Sequence, residues 1–451
     1  MQDTIQDLGP AGQASQDYWN SRVRAVSQTL ARSEMMVADE LDAYRSRHLS
    51  AFLVHARNNV SLYRDRLDFD VGSPREIRDA WSKIPILTRA HAVKFNKELM
   101  CDKLPADAQL SVVKRTSGST GTPLRYRSTA MSDIWSCALT ERMFRWWRVD
   151  GRKSFAQIVY QPLATARDHP EGIETQGWHT ARPNGLKYTR AHIFDLQSHV
   201  SWLAVRQPSY LFTYAMMIKG LAALAKRRKV TLPVELVFSV GEILDAETRD
   251  MCRSAFGTEI ADTYGTLECG HIAAQCPDCR EYHLSADASI IEILSLDGTP
   301  TKPGEVGRVI VTPLRNPAMP LLRYEPGDFA EMGSYSPTCS RKLPTIRRIL
   351  GRSRNLFRFR DGSQVWPDIG SAQFENYISL KQFQIVQTDL DHIEFRYVPD
   401  DPSRPVDVSG LVEYVRRSIG QPLEVGIQRL EAIERSPGGK FESFISLVPS
   451  E

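Results

Sequence analysis

The first hundred residues carry apolar side chains at helical spacing. Between Leu49 and Leu67 the apolar positions lie three or four residues apart and include Phe52, Leu53, Ala56, Val60 and Tyr63. Residues at this spacing share one face of a helix, because an α-helix turns once in about 3.6 residues. The pattern therefore predicts an amphipathic helix over this stretch.

From about residue 155 the pattern changes to short apolar strands that alternate with helices. The predicted strands are QIVYQPL, YLFTYA, ELVFSV and EIADTYG, and predicted helices run from Met216 to about Lys226 and from Asp245 to Phe256. Two later segments, SIIEIL and GRVIVTPL, flank the turn-rich DGTPTKPGEVG and predict a β-hairpin or meander. We predict an α/β fold in which helices flank the sheets.

A basic segment then interrupts this pattern. Residues 341–360 contain eight basic side chains and no acidic one, and the strand HIEFRYV, the helix LVEYVRRSIG and the strand LEVGIQRL follow. These later elements predict a small α+β domain. We place the boundary near Gly351, which gives a large N-terminal domain over residues 1–350 and a small C-terminal domain over residues 351–451.

Composition narrows the classes of partner. The chain has 451 residues, a formal net charge of +3 and 42% hydrophobic residues, so it favours a folded protein over disorder or charge-driven binding to nucleic acid. The N-terminus lacks the basic start and apolar run of a signal peptide, and no apolar stretch approaches the ~20 residues of a membrane span. We expect a cytoplasmic protein with neither nucleic-acid nor membrane partners, and we leave open whether it is a homodimer.

The segment TSGSTGTP, residues 116–123, interleaves hydroxyl side chains with glycines. Its backbone N–H groups and hydroxyls are suited to wrapping phosphate oxygens, since glycine allows close approach of the backbone. It does not match the G-x-x-x-x-G-K-[ST] pattern, and a plain loop is the alternative. Support for a phosphate loop has to come from elsewhere in the chain.

That support comes from five motifs that follow in order: VGE at 240–242, YGTLE at 264–268, RYEPGD at 323–328, GR at 351–352 and PGGK at 437–440. With the early SLYRDRL and IPILTR segments, the GEILDAETRD helix start and the WP pair at 366–367, they resemble the adenylate-forming superfamily. The resemblance is greater to its phenylacetate–CoA ligase branch and covers most of the chain. It implies the adenylate-forming enzyme fold, in which a large domain binds ATP and acid and a small mobile C-terminal domain carries the catalytic lysine.

The resemblance also implies a two-step reaction. A carboxylate attacks the α-phosphate of ATP to give an acyl adenylate and pyrophosphate, and a nucleophile, usually the thiol of coenzyme A, then displaces AMP. Negative charge develops around the α-phosphate in the first step, so cations and N–H donors must stabilise that charge. ATP, Mg²⁺ and coenzyme A are the expected cofactors, and a carboxylic acid is the expected substrate.

The matched motifs assign roles to individual residues. The expected catalytic residues are Lys440, which would bridge the carboxylate and the α-phosphate, Glu268, which would hold Mg²⁺, and Thr120. The leaving phosphates would be held by Ser117, Gly118, Ser119, Thr120 and Gly121. The other nucleotide-binding positions are Gly241, Glu242, Tyr264, Gly265, Thr266, Asp328 and Arg352. Among them Asp328 would accept the ribose hydroxyls, Arg352 would add a donor there, and Tyr264 would stack on adenine.

Three positions depart from the family pattern. Leu267 stands where a Thr usually contacts the AMP phosphate, so that hydrogen bond is either missing or supplied by Thr266. Arg354 and Asn355 stand where an Asp pair commonly marks the interdomain hinge, which changes the electrostatics of the hinge. Pro326 replaces a common Thr and stiffens its turn.

The clustered cysteines form a second candidate site. Cys276 and Cys279 have the C-x₂-C spacing that lets two thiolates reach one Zn²⁺, and a chain without an export signal favours metal over disulfide. Our predicted tetrahedral set is Cys276, Cys279, His283 and Cys339, with Cys269 or His271 as substitute ligands. Such a zinc ion would be structural, since four protein ligands leave no open position. Reduced, unligated thiols are the alternative, and we expect Cys101, Cys137 and Cys252 to be ordinary packed thiols.

Two regions have less specific interpretations. The basic segment 341–360 would attract the phosphates of coenzyme A or shield an interdomain linker. Aromatic and small residues at 160–178 and 210–217 lie where the family builds its acid pocket, and they would equally form a core.

From this resemblance we predict an ATP-dependent, AMP-forming ligase that joins an aromatic (aryl or arylacetic) carboxylate to coenzyme A. An enzyme that passes the acyl group to an amine or a carrier-protein thiol is one alternative. A non-catalytic relative that keeps the fold and the zinc is the other.

Overall fold

The structure is a computed structural model that describes residues 10–106, 108–111, 113–115, 123–179, 185–367, 369, 371–434 and 441–449. Its helices are α1 Pro10–Ser33, α2 Ala38–Asn59, α3 Pro74–Ala80, α4 Arg89–Lys94, α5 Ala130–Trp146, α6 Leu163–Asp168, α7 Leu196–Arg206, α8 Ala215–Arg228, α9 Ala246–Phe256, α10 Ser371–Phe374 and α11 Val408–Ile419. Short 3₁₀ turns occupy Ser61–Tyr63, Trp81–Lys83 and Ser353–Asn355. Within the described residues, we find no helix with the length and apolar character that crossing a bilayer requires.

The strands follow the same chain order. They are β1 Leu87–Thr88, β2 Lys114–Arg115, β3 Arg125–Tyr126, β4 Phe155–Val159, β5 Ile173–Gln176, β6 Leu186–Ala191, β7 Tyr210–Thr213, β8 Leu236–Val240, β9 Ile260–Thr266, β10 Gly270–Gln275, β11 Tyr282–Leu284, β12 Ser289–Leu294, β13 Val306–Pro313, β14 Tyr324–Glu325, β15 Asp328–Met332, β16 Thr345–Arg352, β17 Phe357–Arg358, β18 Gln364–Val365, β19 Gln382–Gln387, β20 His392–Val398, β21 Glu424–Arg429 and β22 Phe444–Ser446.

The chain forms two compact units, each assembled from several segments. The first contains residues 1–155, 173–188 and 261–349, and the second contains residues 156–172, 189–260 and 350–451. The last segment of the second unit begins at Leu350, within β16. The division into domains 1–350 and 351–451 stays a prediction.

The first unit is built on a mainly antiparallel sheet. Its strands run in the order β1, β14, β13, β15, β16, β11, β10 and β9, and β12 pairs with β13. The predicted hairpin or meander is therefore present as the β12–β13 pair, in which Ser289 faces Pro313 and Leu294 faces Arg308. The buried core includes Leu53, Val311 and Tyr324, which joins the N-terminal helices to this sheet.

The second unit has two sheet regions. Strands β7 and β8 pair in parallel, and the two helices predicted to alternate with the strands are present as α8 and α9. A four-stranded sheet with the order β21, β20, β19 and β22 lies in the C-terminal segment. Helix α11 buries Leu411, Val415 and Ile419 in the core of that sheet, which explains its apolar spacing.

One predicted element differs from the structure. Phe52, Leu53 and Ala56 are buried on one helical face as predicted, but the helix does not continue to Leu67. It ends at Asn59 because Val60 adopts an extended conformation, with φ −126° and ψ 113°. A 3₁₀ turn then keeps the later apolar residues pointing inward, so the side-chain spacing imitates a longer helix. The predicted mixed α/β class is confirmed.

Candidate active site

Glu268 lies in the first unit, in the short connection between β9 and β10. Its side chain is buried, and its Oε1 accepts a 2.8 Å hydrogen bond from the Tyr324 hydroxyl and lies 3.4 Å from Arg89 Nη1. The connection is tight, because a Cβ at Gly265 would come within 2.4 Å of the Gly270 carbonyl oxygen. The YG motif thus fixes the backbone that presents this carboxylate.

Tyr264 and Asp328 are brought together in the same unit. The Tyr264 hydroxyl donates a 2.9 Å hydrogen bond to Asp328 Oδ2, and both side chains are buried. Tyr264 lies on β9, and Asp328 is the first residue of β15. Two residues that the sequence assigns to nucleotide binding, 64 positions apart, are therefore direct neighbours.

Thr266 and Leu267 complete the β9 motif. The Thr266 hydroxyl oxygen accepts a 3.0 Å hydrogen bond from the Cys269 backbone N–H and so closes the turn. Leu267 is 37% exposed. Both Leu267 and Glu268 line a cavity of about 60 Å³, which is room for a few water molecules.

Several predicted residues lie outside the described part of the chain. These are Ser117, Gly118, Ser119, Thr120 and Gly121 of the phosphate loop, and Lys440 near the C-terminus. Their roles stay predictions.

The second unit contains Gly241, Glu242 and Arg352. Glu242 Oε2 accepts a 2.9 Å hydrogen bond from the Met216 backbone N–H, and its Oε1 accepts one of 2.9 Å from the Phe441 N–H. The Arg352 backbone N–H donates to Asn355 Oδ1 at 2.8 Å. Gly351 adopts φ +100°, and a Cβ there would lie 2.6 Å from Ile243 Cδ1, so the GR motif requires its glycine.

The predicted zinc ligands converge in the first unit. The ligand atoms of Cys276, Cys279, His283 and Cys339 all lie within 4.8 Å of one another. His283 Nε2 is 3.7 Å from Cys279 Sγ and 3.2 Å from Cys339 Sγ. Zn–S bonds of about 2.3 Å and Zn–N bonds of about 2.0–2.1 Å put tetrahedral ligand atoms roughly 3.5–3.8 Å apart. The donor set therefore fits one zinc ion.

The surroundings favour the ligand form of His283, whereas burial disfavours the thiolate form of Cys279 unless a cation is near. His283 Nδ1 lies 2.8 Å from the Leu343 carbonyl oxygen, and donation to that oxygen leaves the Nε2 lone pair towards the sulfurs. Burial lowers the pKa of His283 to about 4, so the ring is neutral at pH 7. Burial also raises the pKa of Cys279 to about 12, so a thiolate there needs a nearby cation. Arg341 Nη1 contacts Cys276 Sγ at 3.1 Å and offsets part of the thiolate charge.

The substitute ligands are placed elsewhere. Burial and then the adjacent Glu268 carboxylate raise the pKa of Cys269 well above its ordinary value, which keeps this thiol protonated. His271 Nε2 shares a 2.9 Å hydrogen bond with the Thr140 hydroxyl. Neither residue is in the converging set. None of the seven cysteines, all within the described residues, forms a disulfide, and Cys101 and Cys252 are buried while Cys137 is half-buried.

Acidic residues neutralise much of the basic segment 341–360. In the first unit Arg347 and Arg348 pair with Glu331 at 3.0 Å and 2.6 Å, and Arg341 pairs with Asp278 at 2.6 Å. In the second unit the partners are Arg354 with Glu442 and Arg360 with Asp391. Strand β16 takes up residues 345–352, so Arg347 and Arg348 are paired side chains on an ordered strand.

The sequence reasoning missed two neighbours of Glu268. Arg89 lies in the IPILTR segment and Tyr324 in RYEPGD, and both motifs had already been noted for their resemblance. The resemblance therefore pointed to both motifs, but it did not predict that their side chains contact Glu268. Arg341 beside Cys276 and the buried ion pair of Arg142 with Asp287, at 2.8 Å, had no local sequence signal.

The chain is similar to known coenzyme A ligases. The phenylacetate-coenzyme A ligase of Thermus thermophilus is 25% identical over 365 residues, which are 74% of this chain and 75% of that protein. The phenylacetate-coenzyme A ligase of Pseudomonas putida is 23% identical over 428 residues, 90% of this chain and 94% of that protein. A crystal structure of 2-hydroxyisobutyryl-CoA ligase, in the postadenylation state with R3-HIB-AMP, matches with a TM-score of 0.73 at 16% identity. That match covers 92% of this chain and 91% of the ligase.

No known family profile matches the sequence. The relatives and the fold nevertheless confirm the resemblance to the adenylate-forming superfamily and to its phenylacetate–CoA ligase branch.

Proposed function

We propose that this protein is an AMP-forming ligase that adenylates an aromatic carboxylate and transfers the acyl group to coenzyme A. The observation that carries the proposal is the arrangement of YGTLE and RYEPGD in the first unit. Tyr264 donates to Asp328, and Glu268 is held by Tyr324 and Arg89. Two motifs that the resemblance assigns to ATP are thereby assembled by direct side-chain contacts.

Each residue would have a defined task in the first step. Asp328, oriented by the Tyr264 hydroxyl, would accept the ribose hydroxyls, because a carboxylate takes two hydrogen bonds. Glu268 would hold Mg²⁺, which offsets phosphate charge. Ser117 to Gly121 would hold the leaving phosphates, and Lys440 would bring positive charge to the attacked α-phosphate. Gly241, Glu242, Gly265, Thr266 and Arg352 are the remaining proposed nucleotide contacts.

Aromatic side chains in the second unit support an aromatic acid. The Tyr160 and His192 ring centroids are 5.9 Å apart, and those of His192 and Tyr214 are 6.0 Å apart. The Tyr214 hydroxyl oxygen accepts a 2.9 Å hydrogen bond from the Tyr160 backbone N–H, which fixes the position of the Tyr214 side chain. Tyr160 is 51% exposed, so a ring-bearing substrate would have an aromatic surface to pack against.

A basic cavity in the first unit supports coenzyme A as the acceptor. The cavity measures about 470 Å³ and is lined by Lys94, Lys97, Arg125 and Arg127, and Glu98 is the one acidic residue among the described residues of its lining. Coenzyme A carries a diphosphate and a 3′-phosphate, which such a charge excess attracts. Because acidic partners neutralise much of the segment 341–360, this cavity is the stronger candidate for the phosphates.

The structural metal is proposed as zinc. Cys276, Cys279, His283 and Cys339 would hold it, joining the β10–β11 connection to the chain before β16. A reducing cytoplasm is the proposed location, since it would keep the thiols available for metal.

The direct test is pyrophosphate release from ATP over a panel of aryl, arylacetic and aliphatic acids, with and without coenzyme A. We expect one aromatic acid to stimulate release and a thioester to form when coenzyme A is present. Release without a thioester would instead identify an amine or a carrier-protein thiol as the acceptor. No release with any acid would favour a non-catalytic relative.

A further inference from the structure

We propose that Arg341 is a positioning residue of the zinc site, which holds the Cys276 thiolate in place and offsets the charge of the metal with its ligands. The proposal rests on the structural zinc proposed above and is independent of the ligase reaction. Arg341 lies in the first unit, two residues after Cys339. Its Nη1 is 3.1 Å from Cys276 Sγ and 2.6 Å from Asp278 Oδ2. One guanidinium therefore contacts the connection between β10 and β11 at two points.

The charge of the site explains why a cation is needed there. Zn²⁺ with three thiolates and a neutral histidine carries one net negative charge. Cys276 and His283 are fully buried, and a buried charge is costly without a partner. The Arg341 side chain is 12% exposed and that of Asp278 is 59% exposed, so water screens the aspartate far more than the guanidinium. Arg341 thus supplies the buried positive charge that the metal with its ligands lacks.

Trp146 fixes the plane of the Arg341 guanidinium. The Arg341 Cζ atom lies 4.8 Å from the centroid of the Trp146 ring. The same ring, in the last residue of α5, meets the His283 ring edge to face at 5.5 Å. A guanidinium that stacks on an aromatic face keeps its N–H groups directed sideways. Trp146 therefore contacts both a zinc ligand and the cation beside another ligand.

Trp146 is held in turn by Glu34, the residue after α1. Trp146 Nε1 donates a 3.0 Å hydrogen bond to Glu34 Oε2, and Arg145 donates two of 2.8 Å to the same buried carboxylate. The Glu34 carbonyl oxygen accepts a 2.8 Å hydrogen bond from the Lys342 N–H. Glu34 thus holds both the ring that Arg341 stacks on and the chain directly after Arg341.

Zinc release measures the proposed role without reference to enzyme activity. Zinc-loaded wild type, Arg341→Gln and Arg341→Lys are mixed with an excess of a chromogenic chelator, and the rate of zinc transfer is followed. We expect Arg341→Gln to release zinc about tenfold faster or more, because residues that support metal ligands typically change metal affinity by about 10- to 100-fold. Arg341→Lys should be intermediate, since lysine keeps the charge and loses the planar stacking.

A cobalt spectrum separates this role from a merely structural one. Co²⁺ replaces zinc, and its thiolate-to-metal charge-transfer band reports the electron density on the sulfurs. The band should move to longer wavelength in Arg341→Gln, because Cys276 loses a hydrogen bond and a nearby positive charge. The matched control is Arg347→Gln, in the same unit, whose side chain is 57% exposed and pairs with Glu331 at 3.0 Å. It should change neither zinc release nor the cobalt band.

The outcomes separate the possible failures. Zinc release within twofold of wild type in Arg341→Gln, or an unshifted cobalt band, would overturn the proposal. Full rescue by Arg341→Lys would assign the effect to charge alone and would overturn the positioning role. Wild-type protein that holds neither zinc nor Co²⁺ would refute the metal site itself. Failure of the ligase function would appear separately, as no pyrophosphate release by zinc-loaded wild type with any acid.

Discussion

The hydroxyl of Tyr264 donates a 2.9 Å hydrogen bond to Asp328 Oδ2. Strands β9 and β15 thereby present the proposed adenine-stacking ring and the proposed ribose acceptor as one hydrogen-bonded pair. The Tyr264 hydroxyl orients the Asp328 carboxylate, so removing that hydroxyl tests the proposed role of the pair.

Removing that hydroxyl should weaken the use of ATP. For Tyr264→Phe we expect the KM for ATP to rise about 2- to 10-fold, since a typical hydrogen bond contributes about 0.5–1.5 kcal/mol. The ring stays in place, so stacking is kept. Steady-state pyrophosphate release at varied ATP is the measurement.

The matched control is Tyr282→Phe. Tyr282 donates a 2.7 Å hydrogen bond to Asp262 in the same unit, and neither residue has a predicted role in nucleotide binding. This variant should lose stability without a change in the KM for ATP. An unchanged KM in Tyr264→Phe would argue against the proposed role of the Tyr264–Asp328 pair.

The cysteine cluster predicts one zinc ion per chain. Metal analysis of the purified protein should find it, and Cys279→Ser should lower both the zinc content and the thermal midpoint, because metal binding and folding are coupled. Cys252→Ser is the control, since Cys252 is a buried thiol in α9 outside the cluster. Zinc-free wild-type protein with an unchanged midpoint after chelation would support unligated thiols.

Restoring the family's threonine should improve adenylation. For Leu267→Thr we expect kcat/KM for the acid-dependent first step to rise about 2- to 10-fold, through one added hydrogen bond to the AMP phosphate. Leu267→Val is the control, because it has a similar branched shape and no hydroxyl. Equal rates for both variants would mean that the missing hydrogen bond does not limit this step.

The basic cavity should matter for coenzyme A and not for ATP. The double substitution Lys97→Glu and Arg125→Glu should raise the KM for coenzyme A at least tenfold and weaken its salt dependence. The KM for dephospho-coenzyme A should rise less in this variant, because that molecule lacks the 3′-phosphate. Lys302→Glu, an exposed site in the same unit, is the charge control. Equal effects on ATP and coenzyme A would contradict a dedicated acceptor site.

Buried His199 should make stability fall in acid. Burial, and then the nearby Arg190 charge, lower the pKa of His199 to about 4 from an ordinary 6.5. Between pH 6.5 and 4, His199 binds a proton in the unfolded chain but not in the folded chain. The free energy of unfolding therefore decreases as pH falls through this range. The expected loss from this group is roughly 2 kcal/mol between pH 7 and pH 5.

Urea unfolding of wild type and His199→Asn at pH 7 and pH 5 measures this contribution. The variant should show a smaller difference between the two pH values, whatever its absolute stability. His392→Asn, at a partly exposed site on β20, should keep the wild-type difference. An unchanged difference in His199→Asn would refute the assignment.

Local sequence patterns predicted the helices and strands better than they predicted contacts between distant residues. Apolar alternation located β12, β13 and β20, because a strand's spacing of two is set by its own residues. The end of α2 was missed, since a 3₁₀ turn after Val60 keeps Tyr63 and Leu67 on the buried side. That continuation depends on the core beneath the chain rather than on the local pattern.

In the candidate site too, some features could be predicted from the sequence, whereas contacts that depend on the fold could not. The C-x₂-C spacing, together with the resemblance to the phenylacetate–CoA ligase branch, was enough to group Cys276, Cys279, His283 and Cys339. The neighbours of Glu268 depended on the sheet, which brings Tyr324 of β14 and Arg89 of α4 to the β9–β10 connection. The ion pairs of segment 341–360 could not be predicted for a related reason, because its acidic partners, which include Glu331 and Asp278, lie outside the segment.

The central claim is carboxylate-dependent cleavage of ATP between its α- and β-phosphates with help from Lys440. Nucleotide products should be measured for wild type and Lys440→Ala with the best acid of the panel. The account predicts AMP and pyrophosphate in equal amounts from wild type, and a loss of at least a hundredfold in the variant. ADP and inorganic phosphate from wild type, or an undiminished rate in Lys440→Ala, would contradict it.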